Sequence, residues 1–135
     1  MRKAALDLKA QMCKPVTVLI NNAGVVSGKP LLTAEPAEIT RTLGVNTLGP
    51  MWLTRAFLPD MLATGRGAVI GMASTMGLVA AAQLTDYCSS KWAHVGFMEA
   101  LCHELQVTPG GAKVLAITVC PFAVSYVQHV ALHVF

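Results

Sequence analysis

An α/β fold built on a parallel sheet is predicted by three features of the sequence. Short apolar runs alternate with longer helical patterns, the runs lack the polar alternation of half-exposed strands, and a turn of small or polar residues closes each run. Residues 2–12 read as a short opening helix. Val16-Thr17-Val18-Leu19-Ile20 is a β-branched run of strand length ended by Asn21-Asn22-Ala23-Gly24. From Glu35 to about Ala63 the pattern is helical, interrupted at Gly44, Gly49 and Pro50 and stopped by Gly65-Arg66-Gly67. Ala68-Val69-Ile70-Gly71-Met72-Ala73 is a second strand. A small-residue loop beginning at Ser74 leads to a helix from about Thr85 to Val107, which Pro109-Gly110-Gly111 ends. Lys113 to Val119 is the third strand, closed by Pro121. In sheets of this kind function lies beyond the strand C-termini.

The chain has 135 residues, one domain's worth, with no repeat, low-complexity tract or linker. Hydrophobic residues make up 54% and charged residues only 13%, where about 25% charged is usual. That excludes disorder and leaves too few charges to solvate a whole surface, so a membrane or further protein is expected to cover part of it. The net charge of +3 comes from scattered Lys and Arg without a basic run, which argues against nucleic acid. Cys13, Cys88, Cys102 and Cys120 lack metal-site spacing and read as reduced, intracellular thiols. No apolar core of a signal peptide stands in the first twenty residues. Two uncharged stretches, 67–85 and 114–135, are near the ~20 residues a bilayer demands. The first reads as strand, loop and helix start; in the second, Pro121, Gln128, His129 and His133 weigh against a span.

Tyr87 and Lys91 are four apart on a predicted helix and therefore share a face. An ammonium near a phenol favours the phenolate, which is what a Tyr needs to act as acid or base near neutrality. Such a pair arises by chance on many helices, so its context decides. Ser74 ends the second strand thirteen residues before Tyr87, Asn21 to Gly24 close the first, and Asn46 lies on the helix between.

In this order and context, Asn21-Asn22-Ala23-Gly24, Asn46, Ser74 and Tyr87-x-x-x-Lys91 resemble the short-chain dehydrogenase/reductase family. Asn46-Thr47-Leu48-Gly49, Trp52 with Thr54, Asp86-Tyr87-Cys88 before Ser90-Lys91, and Cys120-Pro121-Phe122 are similar to its retinol and hydroxysteroid dehydrogenase branch. The resemblance implies a partial Rossmann-like, doubly wound sheet, NAD or NADP as cofactor, and a retinoid, steroid or other lipid-like small molecule as substrate. It implies that Tyr87 is the acid/base, that Lys91 lowers the Tyr87 pKa and bonds the nicotinamide ribose, and that Ser74 holds the substrate oxygen. Asn46 would hold a relay water, Asn21, Asn22, Ala23 and Gly24 would support the sheet and approach the adenosine side of the cofactor, and Pro121 would also line the cofactor. The family also implies a homo-oligomer through helices 35–63 and 85–107, and an intracellular place, cytoplasmic or on the cytoplasmic face of the endoplasmic reticulum or lipid droplets. Membrane association belongs to the full-length members.

One detail supports the Asn46 role locally. Pro50 has no N–H, so the Asn46 carbonyl lacks its helical donor, which would kink the helix and free a water site; a plain break between two helical pieces is the alternative. His94 lies near the Tyr87 face and reads as structural, with His103 roughly opposite. Met51, Trp52, Met61, Met72, Met76, Trp92 and Met98 read as core or interface, and Glu99, Glu104 and Lys113 as solvated. The family's T-G-x-x-x-G-x-G turn does not precede Val16, and Ser125-Tyr126 stand where a nicotinamide-binding Thr is expected, before a divergent tail to Phe135. The chain is thus expected to be a single partial domain over 1–135, inactive or weakly active alone. The rival expectation is a non-catalytic fragment acting through its dimerising helices.

Overall fold

The computed structural model describes residues 7, 9–12 and 14–122. Residues 7 and 9–11 are helical, and Lys9 reaches Asp60 at 2.9 Å. The ordered units are β1 (Val18–Asn21), α1 (Pro36–Leu43), a π-helical turn (Gly44–Leu48), α2 (Gly49–Thr64), β2 (Gly67–Met72), a 3-10 turn (Thr75–Gly77), α3 (Thr85–Val107), a second 3-10 turn (Gly111–Lys113) and β3 (Val114–Val119).

The three strands form one parallel sheet in the order β1-β2-β3. The boundaries shift slightly from the expected ones. The first strand begins at Val18 rather than Val16 and runs on through Asn21, because its register with Ala68 to Gly71 extends to that residue. The second covers Gly67 to Met72, and Lys113 belongs to the 3-10 turn before β3.

Between Glu35 and Ala63 the chain is helical and interrupted where Gly44 and Gly49 stand. The interruption is a full π-helical turn between two α-helices, with the Gly49 N–H bonded to the Gly44 carbonyl. The ladder shifts by one residue just ahead of Pro50, which has no N–H to give, so the expected kink takes the form of a bulge. Pro36 opens α1 and the Glu35 N–H donates to Glu38 at 3.0 Å, while Gly65, with φ of 59°, ends α2.

Gly67, Val69 and Gly71 alternate onto one face of β2 and meet both long helices, Gly67 against Met61 of α2 and Gly71 against His94 and Met98 of α3. The core is therefore one layer between sheet and helices, centred on Val69, Met61 and Met98 with Phe57, Leu101 and Leu105 around them. The opposite face carries Leu115, Ile117 and Val119, which are exposed in spite of their apolar character. The uncharged stretch 67–85 is strand, turn, loop and the first residue of α3, as expected, and 114–119 is strand; the remainder of the second stretch from 123 lies outside the described residues, as do Cys13, Ser125 and Tyr126. Among the described residues, no helix is long and apolar enough to cross a membrane and no group of side chains could hold a metal ion.

Met61 is fully buried at the centre of this layer. Met61→Ala is expected to lower the unfolding free energy by about 2–5 kcal/mol, read as a fall in the urea midpoint at unchanged slope.

Candidate active site

The sheet's C-terminal end gathers most of the residues named from sequence. Lys91 is buried on α3, and its Nζ donates to the Met72 carbonyl at 2.9 Å, where β2 ends. The same Nζ lies 5.6 Å from the centroid of the Tyr87 ring. A Cβ added to Gly24 would stand 3.7 Å from both Lys91 Nζ and Asn46 Oδ1, so the turn after β1 faces the same point.

Ser74 enters from the other side. Its Oγ accepts the Met76 N–H at 3.1 Å and so caps the 3-10 turn, and the Thr75 N–H donates to the Pro121 carbonyl at 3.0 Å, which ties Ser74 to the end of β3. That turn packs on α3 through Gly77, where a Cβ would fall 2.7 Å from the Lys91 backbone oxygen. Only a residue without a side chain allows the approach.

Asn46 is fully buried on the π-helical turn. Its Oδ1 accepts the Val25 N–H at 2.8 Å, and its Nδ2 donates to the Val25 carbonyl at 2.8 Å and to Ser90 Oγ at 2.9 Å. Ser90 Oγ donates in turn to the Tyr87 carbonyl at 2.7 Å, and Thr47 Oγ1 to the Ser90 carbonyl at 3.1 Å. Asn46 is therefore joined to the Tyr87-Lys91 turn of α3 through Ser90.

The cofactor-side expectations divide. Asn21 is buried and turned towards α2, donating through Nδ2 to Thr54 Oγ1 at 3.1 Å, while its Oδ1 has no hydrogen-bond partner among the described residues. Asn22 and Ala23 are exposed, and Gly24 and Pro121 are half-buried. Met61 and Met98 fill the core, whereas Trp52 and Trp92 are partly exposed; Glu99, His103, Glu104 and Lys113 are solvated.

Sequence reasoning missed the residues that hold the site together. Asp86 is buried directly before Tyr87 and accepts from Thr42 Oγ1 at 2.8 Å, Ser27 Oγ at 2.9 Å and the Tyr87 N–H at 2.8 Å. Burial opposes its ionisation, but the two hydroxyls and the N–H outweigh burial and leave the carboxyl below its ordinary value. Asp86 and Ser90 stand inside the quoted motif, and that adjacency was the available signal.

Burial pushes the Lys91 ammonium down from 10.5 to about 8, a neighbouring Cys120 pulling weakly the other way. Below about pH 8 the folded chain carries a buried cation that the unfolded chain holds in water. Between about 8 and 10.5 the unfolded chain binds more protons than the folded one, so stability rises with pH across that window. Lys91→Met is therefore expected to raise stability at pH 7, by on the order of 3 kcal/mol, with the gain shrinking as the pH climbs from 8 to 10.5 in urea titrations. An equal or lower midpoint at pH 7 would contradict the burial cost.

The family model described as short chain dehydrogenase matches residues 1–131. Human retinol dehydrogenase 10 is 46% identical over 110 residues, which are 81% of this chain and 32% of the relative; zebrafish retinol dehydrogenase 10-B is 44% identical over 109 residues, with the same coverage. The chain thus spans about a third of the length of these relatives. A metagenomic short-chain oxidoreductase solved in complex with NADP superposes with a TM-score of 0.79 at 35% identity, covering 91% of this chain and 53% of that one. A short chain dehydrogenase/reductase from Burkholderia phymatum in complex with NAD gives 0.81 at 29% identity, covering 90% and 43%. Parallel sheet, ordered motifs and these matches agree: the chain belongs to the short-chain dehydrogenase family.

Proposed function

We propose that this chain carries the proton-transfer end of an NAD(P)-dependent oxidoreductase that interconverts an alcohol and its carbonyl, with a retinoid, steroid or similar lipid as substrate. The observation that carries the reading is the buried Lys91 ammonium 5.6 Å from the Tyr87 ring, at the end of the sheet where Ser74 is tied down. The names of the retinol dehydrogenase relatives favour a retinoid.

The residues suit the ribose and nicotinamide end of the cofactor. Gly24 keeps the space beside Lys91 Nζ and Asn46 Oδ1 free of a side chain, and Lys91 has donors left after its bond to Met72. We assign Asn21, Asn22, Ala23, Gly24, Tyr87, Lys91 and Pro121 to cofactor binding, Asn21 by holding the turn from below. When bound, the nicotinamide supplies or accepts the hydride.

In reduction the Tyr87 hydroxyl donates its proton to the carbonyl oxygen as that oxygen gains charge; in oxidation the Tyr87 phenolate takes the alcohol proton. Lys91 favours the phenolate through its charge. The Ser74 hydroxyl, whose oxygen already accepts from Met76, keeps its own hydrogen to donate to the substrate oxygen and orient it. Asn46, through its main-chain carbonyl, holds the water that returns protons to Lys91. Free thiols at Cys88, Cys102 and Cys120 accord with an intracellular setting.

The 135 residues contain no T-G-x-x-x-G-x-G turn, the family's pyrophosphate anchor, so the test adds one. With an N-terminal segment of a relative carrying that turn and its strands, fused or added in trans, NAD(P)H-linked retinal reduction is expected, and Tyr87→Phe is expected to lower it about 10²–10⁴-fold. A variant keeping more than about a tenth of the rate would remove Tyr87 from the acid/base role.

A second reading, association with another copy or a relative, is favoured by one observation. Trp52 on α2 and Trp92 on α3 are 41% and 52% exposed, with Leu48 nearby in sequence also uncovered. The chain is expected to run as a dimer or larger in light scattering at micromolar concentration, and Trp52→Glu with Trp92→Glu to shift it towards monomer. A monomer in the unaltered chain would end this reading.

A further inference from the structure

The Asn46 carbonyl has Pro50 four residues on, where an α-helix would present an N–H. In the structure it is met by a side chain: His94 Nδ1 lies 3.0 Å from Asn46 O. A carbonyl only accepts, so Nδ1 must carry the hydrogen. His94 is 1% exposed, and burial, together with the nearby Lys91 charge, outweighs the carbonyl bond and moves its pKa below the ordinary value. The ring is then neutral, with Nε2 a bare acceptor that has no hydrogen-bond partner among the described residues. Nε2 abuts β2 where Gly71 leaves room for it, since a Cβ there would come within 2.7 Å. Free neutral imidazole favours the hydrogen on the other nitrogen, so a specific bond selects this tautomer.

We propose that His94 is a positioning residue: its Nδ1–H holds the Asn46 carbonyl that Pro50 leaves without a helical donor, and thereby keeps the Asn46 carboxamide on Val25 and Ser90. The bond spans α3 and the π-helical turn, the same two elements that the carboxamide joins. A carbonyl oxygen has two lone pairs. With His94 on one, the other points in a fixed direction for the relay water; that consequence rests on the role given to Asn46 above, whereas the contact and its effect on Val25 do not.

The test needs no turnover, so it can fail while the oxidoreductase reading stands, and the reverse. In the full chain labelled with ¹⁵N-histidine, long-range ¹H–¹⁵N correlation at pH 7.5 is expected to place the His94 hydrogen on Nδ1; a hydrogen on Nε2 overturns the proposal, whether or not any variant folds. Amide exchange of Val25, whose N–H donates to Asn46 Oδ1, reports the carboxamide. His94→Leu is expected to speed it about tenfold or more relative to the Val69 amide in the core of β2. His94→Asn, whose side-chain nitrogen stands at the same place along the chain as Nδ1, is expected to keep it within about threefold of the unaltered protein. An unchanged Val25 rate in the Leu variant, or equal acceleration in both, also overturns the proposal, because a merely space-filling His94 would not distinguish an amide from an alkyl group.

Discussion

One carboxamide joins three parts of this fold at a single point: the segment after β1, the π-helical turn and α3. The Asn46 side chain spends both of its polar atoms, accepting from Val25 and donating to Val25 and Ser90, and is fully buried. The segment after β1 has no regular structure of its own, so its backbone groups at Val25 need partners from elsewhere. Asn46 offers both a donor and an acceptor to them, as a strand neighbour would. Because the same amide also bonds Ser90, the loop, the π-helical turn and α3 are fixed to one another at the point where Lys91 emerges. Inside a protein such a network is strong only when complete, and a missing member leaves a buried polar group uncompensated.

The position of α3 against the sheet depends on absent side chains. Gly71 and Gly77 are two of the places where a Cβ would collide with α3, meeting His94 Nε2 and Met98 in the first case and the Lys91 backbone oxygen in the second. Close approach at these points is what lets the Lys91 ammonium reach the end of β2 instead of solvent. The result is a cation held at a cost, its pKa pulled down towards neutrality, beside a phenol. Asp86 offsets part of the polarity problem at the start of the helix, where its charge also complements the positive end of the helix dipole.

The sheet was legible because its strands are β-branched runs closed by small residues, and Asn46, Ser74, Tyr87 and Lys91 were legible because their order and spacing are a family pattern. The π-helical turn was not. Pro50 announces that a donor is missing, but whether the chain answers with a kink, a break or a bulge depends on what packs against it. The buried stripe of α3 was hidden for a related reason. Asp86, Ser90, His94, Met98, Leu101 and Leu105 fall on one face at helical spacing and all are buried, yet the first three are polar. A hydrophobic pattern finds only the lower half of that stripe. The upper half is identified by hydrogen bonds to residues more than forty positions away, as from Thr42 and Asn46, which local periodicity cannot express.

That division along α3 also accounts for where the chemistry sits. The helix runs past the sheet with its apolar half, Met98 to Leu105, over the core around Val69, and its polar half over the strand C-termini. Water is excluded from both halves, but only the polar half leaves charges and hydroxyls in a medium that amplifies their effects on one another. The apolar half supplies the rigidity, since Met61, Val69 and Met98 are buried together in one core cluster. On the far side of the sheet no such layer stands over Leu115, Ile117 and Val119 among the described residues, and this uncovered face is where the sequence's shortage of charge becomes visible in three dimensions. A sheet with one finished face and one apolar open face can hold Tyr87, Lys91 and Ser74 in place, because the first two ride on the helix of the finished side and the third is tied at the strand ends.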